Sequence, residues 1–551
     1  MEVIRLLFRD SPSEWKRALL VAAAAGVANA AILGIINRGA SVASSASPLQ
    51  AFRLVILFGL CMLAFYLGKR YSLIQASVTV EQMVKNRLLR VSEKVRNAEL
   101  IVVEKLGRGD LYTKVAHDTS LVSQSGLILV NAAQQGFVLL FCLFYIAWLS
   151  KLAFLATAVA VGIGVVIYAR HAEALQKLLG RLTVKEADLI DNLGHMVDGF
   201  KEIRLNRAKN DAVFETFAGT CESVRELKVK AQISFCVDIM FSDLFFYSLL
   251  AVVVFLLPQL VPAYGAIVLM ITAAILFIIG PLQMVVQAAP VFQRAKAALA
   301  SLEDLESRLD RAVLAQSVES EAPADLFREF STICLKQVRF AYESQGGGES
   351  FAVGPLELTI ERGETIFVVG GNGSGKTTAL KLLTGLYSPR TGAIQVDGRL
   401  VDRRNVQSFR ELFSTVFSEF HLFDRLYGLE EVDERQVADV LKRVELEGKT
   451  SYEKGRFSET NLSTGQRKRL ALAVSLLEDK EILVFDELAA DQDPHFRKHF
   501  YEVLLGELKM QGKTVIAVTH DERFWHLADR VIRMEYGVIA DDRRVRQGSL
   551  T

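Results

Sequence analysis

Six long apolar runs, nearly free of charge, lie before about residue 290 of this 551-residue chain, near 18–36, 50–68, 127–149, 152–170, 233–257 and 264–289. A helix needs ~20 predominantly apolar residues to cross a bilayer. In hydrocarbon every backbone N–H and C=O must be bonded within the segment, so spanning helices are the arrangement open to such runs. The first run exceeds the ~7–15 residue apolar stretch of a signal peptide and a second follows directly, so it reads as a span. The chain is too long for one compact core. Its second half lacks such runs and reads as a soluble α/β domain.

The connections between the spans alternate in length. Those at 37–49, 150–151 and 258–263 are short, and those at about 69–126 and 171–232 are long. The long ones carry Lys69, Arg70, Lys85, Arg87, Arg90, Lys201, Arg204, Arg207 and Lys209, against Arg38 and Lys151 in the short ones. The positive-inside rule then puts the long loops and both termini in the cytoplasm. Residues 76–103 and 172–193 show apolar positions at helical spacing, so the spans are predicted to continue as helices beyond the bilayer. Breaks are expected at Gly107-Arg108-Gly109-Asp110 and at Asp198-Gly199-Phe200, each followed by a short amphipathic helix that either docks on another domain or belongs to an ordinary turn in a helical hairpin. Asp238 and Asp243 lie inside the fifth run, where a carboxylate faces either a wet cavity or a partner in helix packing. Pro281 is expected to loosen the sixth helix. A net charge of +1 gives no sign of a nucleic-acid partner. The five cysteines show no metal spacing and read as unpaired thiols.

In the second half, the strand-like Ile366-Phe367-Val368-Val369 runs directly into Gly370-Gly371-Asn372-Gly373-Ser374-Gly375-Lys376-Thr377 and then a helical stretch from Thr378. This is a phosphate-binding loop in the context its chemistry requires. Backbone N–H groups close on phosphate, the helix N-terminus favours the anion, Lys376 reaches the β- and γ-phosphates and Thr377 offers a hydroxyl to Mg²⁺. Some hundred residues later an apolar strand ends in Asp486-Glu487. Asp486 suits Mg²⁺, and Glu487 is placed to act as general base on the attacking water. ATP and Mg²⁺ are therefore the expected ligands.

Asn461-Leu462-Ser463-Thr464-Gly465-Gln466 precedes a helix that opens with Arg467, Lys468 and Arg469. Residues 462–466 resemble the LSGGQ signature of ATP-binding-cassette (ABC) proteins, with Thr464 for one glycine. The resemblance implies that Ser463, Thr464, Gly465 and Gln466 of one subunit close on ATP held by the other. It also implies that Tyr342 stacks on adenine, that 489–493 form the loop after the acidic strand, and that His520 contacts the γ-phosphate. Ser418 stands where the family usually has a glutamine touching Mg²⁺, with Glu419 as the other candidate. A membrane domain fused ahead of the ATPase resembles the exporter architecture. The expected fold is thus multidomain: an all-α six-span transmembrane domain, 1–310, a linker, 311–330, and an α/β P-loop nucleotide-binding domain, 331–551. With one ATPase per chain, a homodimer in the membrane lipid is implied.

Phrases at 198–206, 416–428 and 484–497 resemble the exporters of cyclic, lipidated or knotted peptides, so a peptide substrate is expected. Only about 17 residues precede the first span, so no leader-peptidase domain is expected there. A lipid flippase or a multidrug pump shares every motif. An ATP-gated channel or sensor is disfavoured by the intact Glu487.

Overall fold

The computed structural model describes residues 12–42, 47–260, 265–314, 323, 325–343 and 349–545. The expected connections at 37–49 and 258–263 and the expected linker lie partly outside them. The chain divides into two compact units, Met1–Glu93 with Arg108–Ser307, and Lys94–Gly107 with Arg308–Thr551.

The first unit is helical. Its long helices are α1 (Pro12–Val42), α2 (Pro48–Arg96), α4 (Thr119–Leu149), α5 (Lys151–Asp198), α7 (Arg207–Ala251) and α8 (Gly265–Leu314); the short α3 (Leu100–Leu106) and α6 (Phe200–Leu205) sit in the two long loops. Among the described residues, five helices are long and apolar enough to cross a membrane. In α5, where the fourth span is expected, the described apolar stretch is Lys151–Gly164. Ser150 Oγ accepts from Ala153 N–H and starts α5; Asn206 Oδ1 accepts from Lys209 N–H and starts α7.

Lipid offers no hydrophobic drive for helices to associate, so close packing of small residues does that work. A Cβ on Gly126 of α4 would stand 2.4 Å from Val80 of α2, and one on Gly68 would stand 3.0 Å from Ala25 of α1. Two apolar clusters result, one around Val138, Cys142, Ile271 and Ile275, the other around Trp15, Ala76, Val80 and Leu299. The carboxylates of the fifth run are used in helix packing. His171 Nδ1 lies 2.6 Å from Asp238 Oδ1, joining α5 to α7, and Gln283 Nε2 donates to Asp243 Oδ1 at 2.8 Å, joining α8 to α7. Helix α8 continues through Pro281 and Pro290.

The long loops differ from expectation in one place. In the first, the short helix lies before Gly107, not after it. The expected break at Gly107 is present, with φ 74°, and a second one lies at Asn97-Ala98-Glu99; beyond Gly107 the chain re-enters a helix that passes through a π-helical turn, Thr113–Asp118, into α4. Helix α3 is part of the second unit, with Leu100 and Ile101 packed on its core. In the second loop α6 follows Gly199 as expected.

Among its described residues the second unit has three sheets, the smallest pairing β7 (Tyr452–Glu453) with β8 (Arg456–Phe457). A mostly parallel sheet runs β12-β11-β3-β10-β9-β6 and an antiparallel one β2-β1-β4-β5. Here β1 is Thr332–Glu343, β2 Glu349–Glu361, β3 Thr365–Val369, β4 Thr391–Val396, β5 Arg399–Leu400, β6 Phe413–Val416, β9 Ile482–Asp486, β10 Thr514–Val518, β11 Arg530–Glu535 and β12 Val538–Arg544. The runs TIFVV, ILVFD and TVIAV are buried from end to end, as strands covered on both faces must be. Helix α9 (Lys376–Leu383) follows β3; α10 (Glu434–Arg443) and α11 (Thr464–Leu477) pack together around Val437, Leu441, Leu470 and Leu472. Phe327 and Phe330 are buried in the core beside β1, inside the stretch expected to be linker.

Candidate functional site

The three central parallel strands β3, β9 and β10 end side by side, and their following loops build one site. After β3 the backbone turns at Gly370 with φ 149°, where a Cβ would stand 2.2 Å from the Met534 carbonyl oxygen. At Gly375, φ 95°, a Cβ would meet Val353 at 2.9 Å. Only glycine follows this path. Asn372 and Gly373 are exposed at the tip, and Gly375 caps α9. The Lys376 ammonium is held over the loop, donating to the carbonyls of Gly370 (2.9 Å) and Gly371 (3.0 Å).

Thr377 Oγ1 donates to Asp486 Oδ2 at 2.9 Å, so the helix start and the end of β9 meet. Two buried polar atoms here have no protein partner among the described residues, Asp486 Oδ1 and Ser374 Oγ. An orphaned buried carboxylate oxygen is costly unless a ligand satisfies it. A phosphate loop facing a cation-binding acid fits ATP with Mg²⁺, and Thr377 and Asp486 are the residues that would hold the metal. The backbone N–H of Ser418, just after β6, lies 3.5 Å from Asp486 Oδ2. The Ser418 and Glu419 side chains are exposed. The loop therefore approaches the acid through its main chain.

Glu487 follows Asp486 in the left-handed region, φ 55°. Its Oε1 accepts from His520 Nε2 at 3.2 Å and lies 4.0 Å from Lys376 Nζ. The expected base, histidine and lysine are thus brought together. Beneath His520, the Tyr501 hydroxyl is 2.6 Å from Thr519 Oγ1, and burial pushes its pKa up to about 12. Ser463 caps α11 with a reciprocal capping box: its Oγ accepts from Gln466 N–H, and Gln466 Oε1 accepts from Ser463 N–H. Thr464 and Gly465 form the first turn, whose positive end suits a phosphate.

Tyr342, on β1, sits in an aromatic cluster with Phe340 and Tyr387, the last two stacked at 4.7 Å. A hydrogen-bonded chain runs through it. Thr378 Oγ1 is 3.2 Å from the Tyr342 hydroxyl, which donates to Tyr387 at 3.3 Å, which donates to Glu104 of α3 at 2.5 Å. Burial first, and then the Glu104 carboxylate, raises the Tyr387 hydroxyl well above the ordinary tyrosine value. Glu104 also accepts from Lys381 of α9. Tyr387, Glu104 and Tyr501 escaped the sequence reading, since none lies in a motif. The pairing of Phe340 and Tyr342 with a second aromatic in a "GLY" phrase was the available signal.

Comparison with known proteins agrees with this arrangement. Residues 353–490 match the family model described as ABC transporter. The chain is 31% identical over 549 residues to the ATP-binding protein SyrD of Pseudomonas syringae pv. syringae, covering 98% of this chain and 96% of that protein. It is 26% identical over 461 residues to the ATP-dependent lipid A-core flippase of Idiomarina loihiensis, covering 79% of this chain and 75% of that one. Its fold matches the solved structure of a bacterial Atm1-family ABC exporter with ATP bound, with a TM-score of 0.77 at 17% identity, over 98% of this chain and 95% of the other. With a full-length relative, the motifs in family order and the exporter fold, this chain belongs to the ABC transporter family, as an ATP-hydrolysing exporter half-transporter of a membrane.

Proposed function

We propose that two copies of this chain form a homodimer that exports a peptide, cyclic or otherwise modified, across the cytoplasmic membrane by alternating access. The observation that carries the ATP-driven part is the Glu487 carboxylate held between His520 and Lys376, one residue after Asp486. In this reading Gly370, Asn372, Gly373, Ser374, Gly375, Lys376, Thr377 and Thr378 cradle the phosphates and Tyr342 stacks on adenine. Ser463, Thr464, Gly465 and Gln466 complete the site of the partner subunit. Glu487 takes the proton of the water that attacks the γ-phosphate, and His520 fixes the Glu487 carboxylate and faces that phosphate. Thr377, Asp486 and the loop at Ser418 would hold Mg²⁺, whose charge offsets that building up on the phosphates. The long, Lys- and Arg-rich loops support a cytoplasmic ATPase domain and cytoplasmic termini.

Support for a peptide comes from the membrane unit. A cavity of about 520 Å³ lies between α2, α4 and α8. Its polar lining is Lys69, Asn131 and Gln287, among aliphatic side chains such as Leu73, Ile128 and Met284. One cation with two carboxamides suits a largely neutral amphipathic ligand rich in amide groups. A multiply phosphorylated headgroup needs more positive charge. A lipid flippase is the second reading, favoured by the flippase relative spanning 79% of the chain. The two are separated in inside-out proteoliposomes. ATP-dependent accumulation of a labelled cyclic lipopeptide, without flipping of a labelled lipid, is expected; the opposite pattern replaces peptide with lipid.

A further inference from the structure

Three basic residues open the helix after the signature turn, and basic runs of this kind ordinarily lie on a solvated face. Lys468 does not. It is 5% exposed, and its ammonium reaches away from α11 to the loop after β9. There it donates to the backbone carbonyl of Glu487 at 2.9 Å and pairs with Asp491 at 2.7 Å. The residue whose carbonyl it holds has φ 55°, a left-handed conformation that costs a non-glycine side chain energy and persists only where its surroundings impose it. The neighbouring contacts keep helix and loop together. Gln492 Nε2 donates to the Gly465 carbonyl at 3.0 Å, Arg469 Nε donates to Gln492 at 2.9 Å, and a Cβ on Gly465 would stand 2.9 Å from the Asp491 carbonyl oxygen.

We propose that Lys468 is a positioning residue for ATP hydrolysis: it clamps the Glu487 main chain in its left-handed turn and so fixes where the Glu487 carboxylate points. The proposal rests on Glu487 being the general base. It has a second consequence. The same helix presents Ser463 to Gln466 to ATP on the partner subunit in the proposed dimer, while Lys468 holds the base of its own subunit's site. A shift of α11 on closing over the partner's nucleotide therefore moves the Glu487 carbonyl through one buried ammonium, linking the two ATP sites within one chain.

The test is steady-state ATPase kinetics on the full-length protein in nanodiscs. Lys468→Met keeps the buried stem and removes the charge; Lys468→Gln keeps a donor on a chain too short to reach; Lys468→Arg keeps both charge and reach. Misplacing a catalytic group by about an ångström costs on the order of 100-fold. Lys468→Met and Lys468→Gln are accordingly expected to lower kcat roughly 10–100-fold with the KM for ATP within about twofold, and Lys468→Arg to recover most of the loss. In single-turnover assays on a Glu487→Gln background, Lys468→Met is expected to add less than about twofold, because residues acting through one another are not additive. If Lys468→Met does not fold, Lys468→Gln and Lys468→Arg carry the same comparison. A kcat within twofold of wild type in both neutral variants overturns the proposal, as does a full multiplicative loss on the Glu487→Gln background. Should Glu487→Gln itself hydrolyse ATP at half the normal rate, the base assignment fails instead, which is a different result.

Discussion

The residues proposed to face the phosphates are those whose chemistry leaves least freedom. The carboxylate proposed as the base, Glu487, stands one residue past Asp486, the aspartate proposed to hold Mg²⁺, with His520 3.2 Å away. Glu487→Gln is expected to bind ATP normally and lose ~10²–10⁴-fold in turnover, the usual scale for a general base. Trapped nucleotide, counted in the isolated protein, checks binding separately from rate. The loop at Ser418 gives a finer test. Its N–H, not its hydroxyl, approaches Asp486. Ser418→Ala should leave the Mg²⁺ concentration for half-maximal activity within about twofold, whereas Ser418→Pro, which removes the N–H, should raise it several-fold. A Ser418→Ala variant needing far more Mg²⁺ would return the role to the hydroxyl. These positions were legible because phosphate and metal chemistry demand particular residue types at particular spacing. Lys468 was not, since a lysine in a basic run looks solvated until the fold buries it. Nor was the left-handed turn at Glu487, which no side chain announces.

At the scale of elements, apolar run length and continuous β-branched runs located the long helices and the buried strands, because burial on all sides leaves no room for polar alternation. The first loop was harder to place. Gly107 does break the helix, with φ 74°, but a second break, Asn97-Ala98-Glu99, holds no glycine or proline and puts the short helix ahead of Gly107. What decides the position is packing of Leu100 and Ile101 on the ATPase core and the bonding of Glu104 to Lys381 and Tyr387. That bonding joins α3 to the aromatic cluster where adenine is expected to stack. Tyr387→Phe keeps the ring on Phe340 but removes the hydroxyl that links Tyr342 to Glu104. Basal ATPase activity is expected to stay within about twofold, because no phosphate contact is lost, while stimulation by transported substrate falls at least several-fold. Measuring basal and stimulated rates in the same reconstituted sample decides it. Equal stimulation in Tyr387→Phe and wild type would make the chain of hydroxyls purely structural.

For the whole molecule, the telling surface is on the second long loop. In α6, Ile203 is buried, yet Phe200 is 62% exposed and Leu205 89% exposed. Covering that aromatic side chain would remove apolar surface from water, which is the basis for expecting α6 to dock. The occupant we favour is the ATPase domain of the second copy, because each chain brings one ATPase and one signature, and the signature serves the other chain's nucleotide in the proposed dimer. Covering Phe200 would contribute roughly 1.5–3 kcal/mol, a large share of what a helix of under two turns can supply. Closure of two ATPase domains would then pull α5 and α7, which flank α6 directly. Phe200→Asp places a charge in that contact and is expected to leave basal ATPase activity within about twofold while abolishing both substrate-stimulated ATPase activity and transport. Phe200→Leu, apolar and smaller, should keep most of both. The assay is paired: ATPase rate and substrate uptake in the same vesicles, with insertion levels matched by quantitative blotting. Transport that survives Phe200→Asp at normal levels would show that α6 is not the coupling contact.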